Sequence, residues 1–145
     1  DIQYGTSCGY PCSAMGAHVS AVPNHQTGQV TPLETRACVA MAGTFGYELD
    51  PNKLTETDKA EIRAQIARFH QYYDLLQYGD YYRLRAPVTG CSVWEVAAPD
   101  GSEALVTAVY KTVEANAGLS PTPATPCPFC SMRAPTSPTR SSCVP

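Results

Sequence analysis

A chain of 145 residues with 43% hydrophobic residues has the usual size of one domain and enough apolar matter for a core. Its net charge is −3 and no basic patch stands out, which argues against a nucleic-acid partner. No apolar run approaches the roughly 18 residues that span a bilayer, which argues against a membrane one.

The first fifty residues are rich in Gly, Ala, Ser, Thr and Pro. Ala14-Met15-Gly16-Ala17 and Val39-Ala40-Met41-Ala42 are continuous apolar runs, the pattern of strands in a parallel sheet covered on both faces. Val22-Pro23-Asn24-His25-Gln26-Thr27-Gly28 between them reads as a loop. A helix is predicted from about Glu56 to Gln77. Thr55 and Asp58 have capping-box spacing. Ile62, Ile66, Phe69, Tyr73 and Leu76 recur at steps of four and three, on one face. Arg63, Gln65 and Arg68 fall away from that stripe, and Gly79 supplies a stop.

Strands follow from about Tyr81. Ser92–Ala97 and Ala104–Tyr110 flank Pro99-Asp100-Gly101-Ser102, and an Asp-Gly pair between apolar runs is a hairpin signal. The change from helix to antiparallel strands puts a boundary near Arg85 to Thr89. From Leu119 onward the chain holds seven of its thirteen prolines and three of its seven cysteines. Such a segment buries too little to offset chain entropy and is expected to be disordered.

Several strings carry a resemblance. They are Ile2-Gln3-Tyr4-Gly5-Thr6-Ser7, then Met15-Gly16-Ala17-His18-Val19-Ser20-Ala21-Val22-Pro23-Asn24-His25-Gln26-Thr27-Gly28, then Thr31-Pro32-Leu33-Glu34-Thr35-Arg36. Ala42-Gly43-Thr44-Phe45-Gly46-Tyr47-Glu48-Leu49-Asp50 and Tyr78-Gly79-Asp80-Tyr81-Tyr82-Arg83-Leu84 follow. In this order they resemble glycoside hydrolase family thirty-six, the retaining α-galactosidases, over about residues 1–113. The resemblance implies an α/β fold: the C-terminal β/α units of a (β/α)8 TIM barrel, then part of an antiparallel β-sandwich. The barrel's last two strands would lie around Met15–Val19 and Met41–Phe45, and the helix from Glu56 would close the barrel. The implied organisation is 1–84 barrel, 85–118 sandwich and 119–145 tail.

A retaining glycosidase needs two carboxyl groups about 5 Å apart. The resemblance places the nucleophile in a Trp-Asp motif, which does not occur here. It places the acid/base in a Ser-Asp-x-Thr-Asp motif just upstream of Ile2, so Asp1 lies too late. The family's Cys-Ser-Gly-Gly-Gly sugar-binding segment is also absent. No catalytic residue is assigned. Glu48 and Asp50 share a strand face, but Asp50-Pro51-Asn52 reads as a turn entering the helix. His18, Asn24 and His25 are the candidates for substrate contact, since barrel sites use loops at the strands' C-terminal ends. The competing reading is that they hold the loop by hydrogen bonds.

Seven cysteines do not close into a full intramolecular disulfide set. Cys8, Cys12, Cys38 and Cys91 are read as buried free thiols, which behave as small apolar residues. Cys127-Pro128-Phe129-Cys130 with Cys8 and Cys12 mimics a four-thiolate zinc site. Strong zinc signals have both pairs in one short module, so no metal ligand or cofactor is assigned.

The expected function is a fragment of an enzyme acting on terminal α-galactosides of the melibiose and raffinose class, inactive alone and homo-oligomeric when whole. The alternatives are a carbohydrate-binding module that uses Trp94 and tyrosines, or a zinc protein. The tail's composition suggests a frameshift between Lys111 and Pro121. No leader pattern is visible at Asp1, the dense opening suggests a start inside a longer protein, and a cytoplasmic location is favoured.

Overall fold

A computed structural model describes residues 1–111. The tail from Leu119, the Cys127–Cys130 pair and the frameshift point downstream of Lys111 lie outside the described residues. A short helix α1 (Ile2–Ser7) and a 3-10 turn (Cys12–Ala14) lead into strand β1 (His18–Ser20). Helix α2 (Leu33–Ala40) then crosses to β2 (Gly46–Glu48), and helices α3 (Glu56–Gln71) and α4 (Tyr73–Tyr78) follow. Strands β3 (Asp80–Arg85), β4 (Cys91–Ala97) and β5 (Ala104–Tyr110) complete the described chain.

β1 and β2 pair in parallel, His18 opposite Gly46 and Ser20 opposite Glu48. Parallel neighbours need a crossover, and α2 supplies it. Alternation sorts the side chains. Val19 has no exposure and belongs to the core with Ala37, Ala40 and Met41 of the α2 segment. Tyr47 turns the same way and reaches α3. His18, Ser20, Gly46 and Glu48 therefore share the opposite face.

The two expected strands are displaced. Ala14 ends a 3-10 turn and β1 begins only at His18, while Val39 and Ala40 end α2 and the second strand starts at Gly46. A short apolar run looks the same in a buried strand and on the buried face of a helix. In Val39–Ala42 it is the helix end that is buried, with Ala40, Met41 and Ala42 all in the core.

The expected single helix is two. The capping box at Thr55 is present: its Oγ1 accepts from the Asp58 amide at 3.1 Å, and its own amide donates to Asp58 Oδ2 at 3.0 Å. The Thr55 hydroxyl also donates to Asp58 Oδ2 at 2.7 Å, and this bond, with the one from the Thr55 amide, holds the Asp58 carboxyl below the usual carboxylate range. The helix breaks at Tyr72 (φ −107°, ψ 14°), a position without Pro or Gly. The break turns Leu75, Leu76 and Gln77 into the core.

The buried face of α3 is also rotated from the predicted stripe. Gln65 is 4% exposed, whereas Ile66 is 37% exposed and Tyr73 41%. The cause is a polar partner: Tyr47 Oη donates to Gln65 Oε1 at 2.7 Å, and Gln65 Nε2 donates to Glu61 Oε1 at 2.8 Å. A buried amide satisfied this way costs little.

The hairpin forms as expected. β3, β4 and β5 make one antiparallel sheet in that order. Asp100 Oδ1 accepts from the Ser102 amide at 3.0 Å, and Gly101 takes φ +71°. Trp94, Val96 and Leu105 turn inward into the same core cluster as Val19 and Met41. Cys12, Cys38 and Cys91 are buried, but Cys8 is exposed, at the end of the peripheral α1.

Gly79 stops α4 without a left-handed turn, at φ −71°. Its glycine is required by proximity: a Cβ there would lie 2.5 Å from Leu75 O and 2.8 Å from Val96 Cγ1. Gly79→Ala should destabilise the chain by about 1–3 kcal/mol, the usual cost of forcing atoms into a packed interior. Gly5→Ala, with open space around it, should be neutral or stabilising in a helix. Thermal denaturation of the two variants checks the contrast.

Candidate functional site

The site is the C-terminal edge of the parallel pair, with the connection from Ala21 to Pro32. Arg36 of α2 organises its base. Its Nε donates to Thr31 O at 2.9 Å and its Nη1 to Ser20 O. One guanidinium thereby ties the end of β1 to the return of the loop. The Val22–Pro23 bond is cis.

His18 stands on β1, exposed, on the face opposite the helices. A Cβ at Gly46 would lie 3.4 Å from His18 Cδ2, and one at Gly16 would lie 3.9 Å from Cε1. The ring thus lies along backbone stripped of side chains. Asn24 holds the loop. Its Oδ1 accepts from the Gln26 amide (3.0 Å), the Thr27 amide (3.0 Å) and Thr27 Oγ1 (3.1 Å). Its carbonyl accepts from the Gly28 amide at 2.8 Å. His25 sits exposed on that turn. Among the described residues no hydrogen bond joins His18, Asn24 and His25.

Glu48 lies on the His18 face, exposed at the end of β2. Asp50 is occupied as a cap: its Oδ1 accepts from the Asn52 amide at 3.0 Å and from Asn52 Nδ2 at 3.1 Å. That is the turn entering the helix that the sequence suggests. Among the described residues no three His, Cys, Asp or Glu gather as metal ligands. No described helix is long and apolar enough to cross a membrane. A shallow crevice between α1, α2 and the second sheet is lined by Tyr4, Val39, Ala42, Tyr81, Trp94 and Val109 among others, and none of the three candidates borders it.

Sequence reasoning missed Arg36 and two half-buried phenols, Tyr47 and Tyr81. Arg36 stands in one of the family-like strings, but nothing in its spacing announces a loop clamp. Burial pushes Tyr47 up to about 12, helped by the Glu61 charge. Burial likewise pushes Tyr81 up to about 12, against the lowering effect of a hydrogen bond with Ser7.

A family model described as melibiase matches residues 1–79, ending one residue before β3. The α-galactosidase AgaA of Geobacillus stearothermophilus is 55% identical over 120 residues, which is 82% of this chain and 16% of that protein. The bifunctional α-galactosidase/sucrose kinase AgaSK of Mediterraneibacter gnavus is 53% identical over 116 residues, 79% of this chain and 12% of that protein. The crystal structure of AgaA superimposes with a TM-score of 0.80 at 54% identity, covering 82% of this chain and 17% of that one. Substituted forms of AgaA are known in complex with raffinose and with stachyose.

A βαβ unit followed by a covering helix and an antiparallel sheet, with these relatives, defines a piece of a glycoside hydrolase. The chain belongs to the melibiase family, the α-galactosidases of glycoside hydrolase family thirty-six. It spans about a sixth of the length of AgaA.

Two outcomes are expected. Asn24→Ala should raise amide exchange at Gln26 and Thr27 about fivefold, the equivalent of about 1 kcal/mol per lost hydrogen bond. Asn24→Asp, which keeps the acceptor, should not. The raised phenols imply a loss of stability at high pH. The unfolded value is near 10 and the folded values are about 12. The contribution is therefore complete below about pH 10 and disappears as pH rises towards 12. Ultraviolet titration should show two tyrosines ionising late.

Proposed function

We propose that this chain is the C-terminal end of the catalytic (β/α)8 barrel of an α-galactosidase together with the first strands of the β-sandwich that follows. The observation that carries the reading is the one-sided parallel pair. Among the described residues β1 and β2 are covered by helices on the Val19 and Tyr47 side, and the opposite face bears His18, Ser20, Gly46 and Glu48. Such a pair inside a closed barrel turns that face to the interior. The boundary expected near Arg85 to Thr89 would separate β3 from β4, with which it pairs, so we place the junction between barrel and sandwich earlier, in residues 79–85. The family model ends at 79, and β3, from Asp80, already pairs with β4.

The substrate class is a terminal α-galactoside of the melibiose, raffinose or stachyose kind. Retaining hydrolysis needs a nucleophilic carboxylate and a second that protonates the leaving oxygen and then activates water. Both lie outside this chain in this reading, the acid/base just upstream of α1. Glu48 and Asp50 do not replace them, since Asp50 is held as a cap. The contribution of residues 1–111 is a wall of the site. His18 and His25 are free to donate to or accept from sugar hydroxyls, and Asn24 shapes the loop that carries His25. The whole enzyme is a homo-oligomer in this reading, and the residues described here do not by themselves form a site.

The chain alone is expected to leave raffinose and p-nitrophenyl α-galactoside intact. Co-expression with AgaA truncated before the matched segment is expected to restore hydrolysis, because the two pieces together complete the barrel. A well-folded mixture without activity would overturn the reading. A carbohydrate-binding module would bind raffinose unaided in a calorimeter. Against that alternative, Trp94 is 7% exposed and lies in the core.

A further inference from the structure

The first helix is held in an unusual way. α1 has six residues, no side-chain cap and one buried residue, Ser7. Ile2 is 86% exposed. A helix of this length does not persist without tertiary support, and apolar burial supplies little of it. The support is polar and comes from 76 residues away in sequence. Arg83 of β3 donates through Nε to Ser7 Oγ at 2.9 Å, and Ser7 Oγ donates to Tyr4 O at 2.7 Å.

Arg83 is itself aimed. The β3–β4 register shifts between Arg83 and Arg85, and such an irregularity bends a strand and redirects its side chains. The guanidinium lies 5.4 Å from the centroid of the Tyr81 ring, two residues earlier on the same face. At the other end of α1, Lys111, just past β5, pairs with Asp1. Both ends of α1 are thus tied to the second sheet.

We propose that Arg83 is a positioning residue through which the antiparallel sheet fixes α1, and with it the segment of the whole enzyme that enters α1. The catalytic consequence rests on the reading above, in which the acid/base carboxyl lies just upstream. The sheet then serves the reaction at a distance, by holding the helix on which that carboxyl's loop ends. Lys111 is a secondary tether, being exposed and screened by solvent.

The decisive measurement is amide exchange in the full 145-residue chain. Arg83→Met keeps the stem and removes the guanidinium. It should speed exchange at Gly5, Cys8 and Tyr10 about tenfold, the scale of a hydrogen bond to a charged group, and leave α3 unchanged. Ser7→Ala should do the same, and the double variant should add nothing further. Arg83→Lys should restore part of the protection. Unchanged α1 exchange in Arg83→Met, or an equal rise across α3, would overturn the proposal.

The same variants in the co-expressed enzyme give the catalytic readout. Arg83→Met should lower kcat about tenfold or more with KM nearly unchanged, and shift the limb of the pH profile that reports the acid/base. Unchanged kcat and pH profile would overturn the catalytic part. An inactive unsubstituted mixture would overturn the galactosidase reading instead, and the exchange measurement would still decide what Arg83 does.

Discussion

Val19 is the centre on which the described residues depend. It has no exposure, and among the described residues it is buried from one side, by α2 and its C-terminal turn. That one-sidedness sets the orientation of everything near it. Because side chains alternate along a strand, burying Val19 against Ala37 and Met41 forces His18 and Ser20 to the other face. The parallel partner β2 repeats the choice, with Tyr47 towards α3 and Gly46 and Glu48 away from it. Among the described residues a helical layer lies on one side of the pair and the other face carries His18, Ser20, Gly46 and Glu48.

Polar contacts do much of the positioning around that core. Gln65 is buried because Tyr47 meets it, and Gln77 is buried because its Nε2 donates to Gly43 O at 2.9 Å. Gly43 in turn leaves no room for a side chain, since a Cβ would stand 2.4 Å from Met15 O. Arg36 ties the end of β1 to the loop that returns to α2. Arg83 ties the first helix to the last sheet. The Gln65 bond sets the face that α3 buries, whereas the Arg36 and Arg83 bonds fix a loop and the first helix. Stability comes from burial, and placement of these segments comes from the amide and guanidinium groups.

The three candidate residues divide into roles once the loop is seen. Asn24 spends its side-chain oxygen on three bonds within the turn, so its role is to shape the loop. His18 and His25 keep exposed rings, one on the open face of the strand pair and the other on the turn that Asn24 builds. The hydrogen-bonding reading of the loop holds for Asn24, and substrate contact by His18 and His25 belongs to the proposed function alone.

Much of this was legible in one dimension. The capping box at Thr55 and Asp58, the Asp100-Gly101 hairpin, the loop around Asn24 and the family strings are all local signals. They depend on residues a few positions apart, and the chain satisfies them wherever it is placed. What the sequence could not decide was which face of a segment is buried. Val39–Ala42 is as apolar as a strand and is the end of a helix, because only packing against β1 distinguishes the two. The face of α3 turned by one position because Tyr47, 18 residues before Gln65, offers a partner to an amide. The helix broke at Tyr72 with no Pro or Gly to announce it, since burying Leu75 and Leu76 requires a new direction. Arg83 meeting Ser7 across 76 residues has no local trace at all. Periodicity and capping are properties of neighbours along the chain, whereas burial and long-range polar contacts are properties of neighbours in space, and those exist only after the chain has folded.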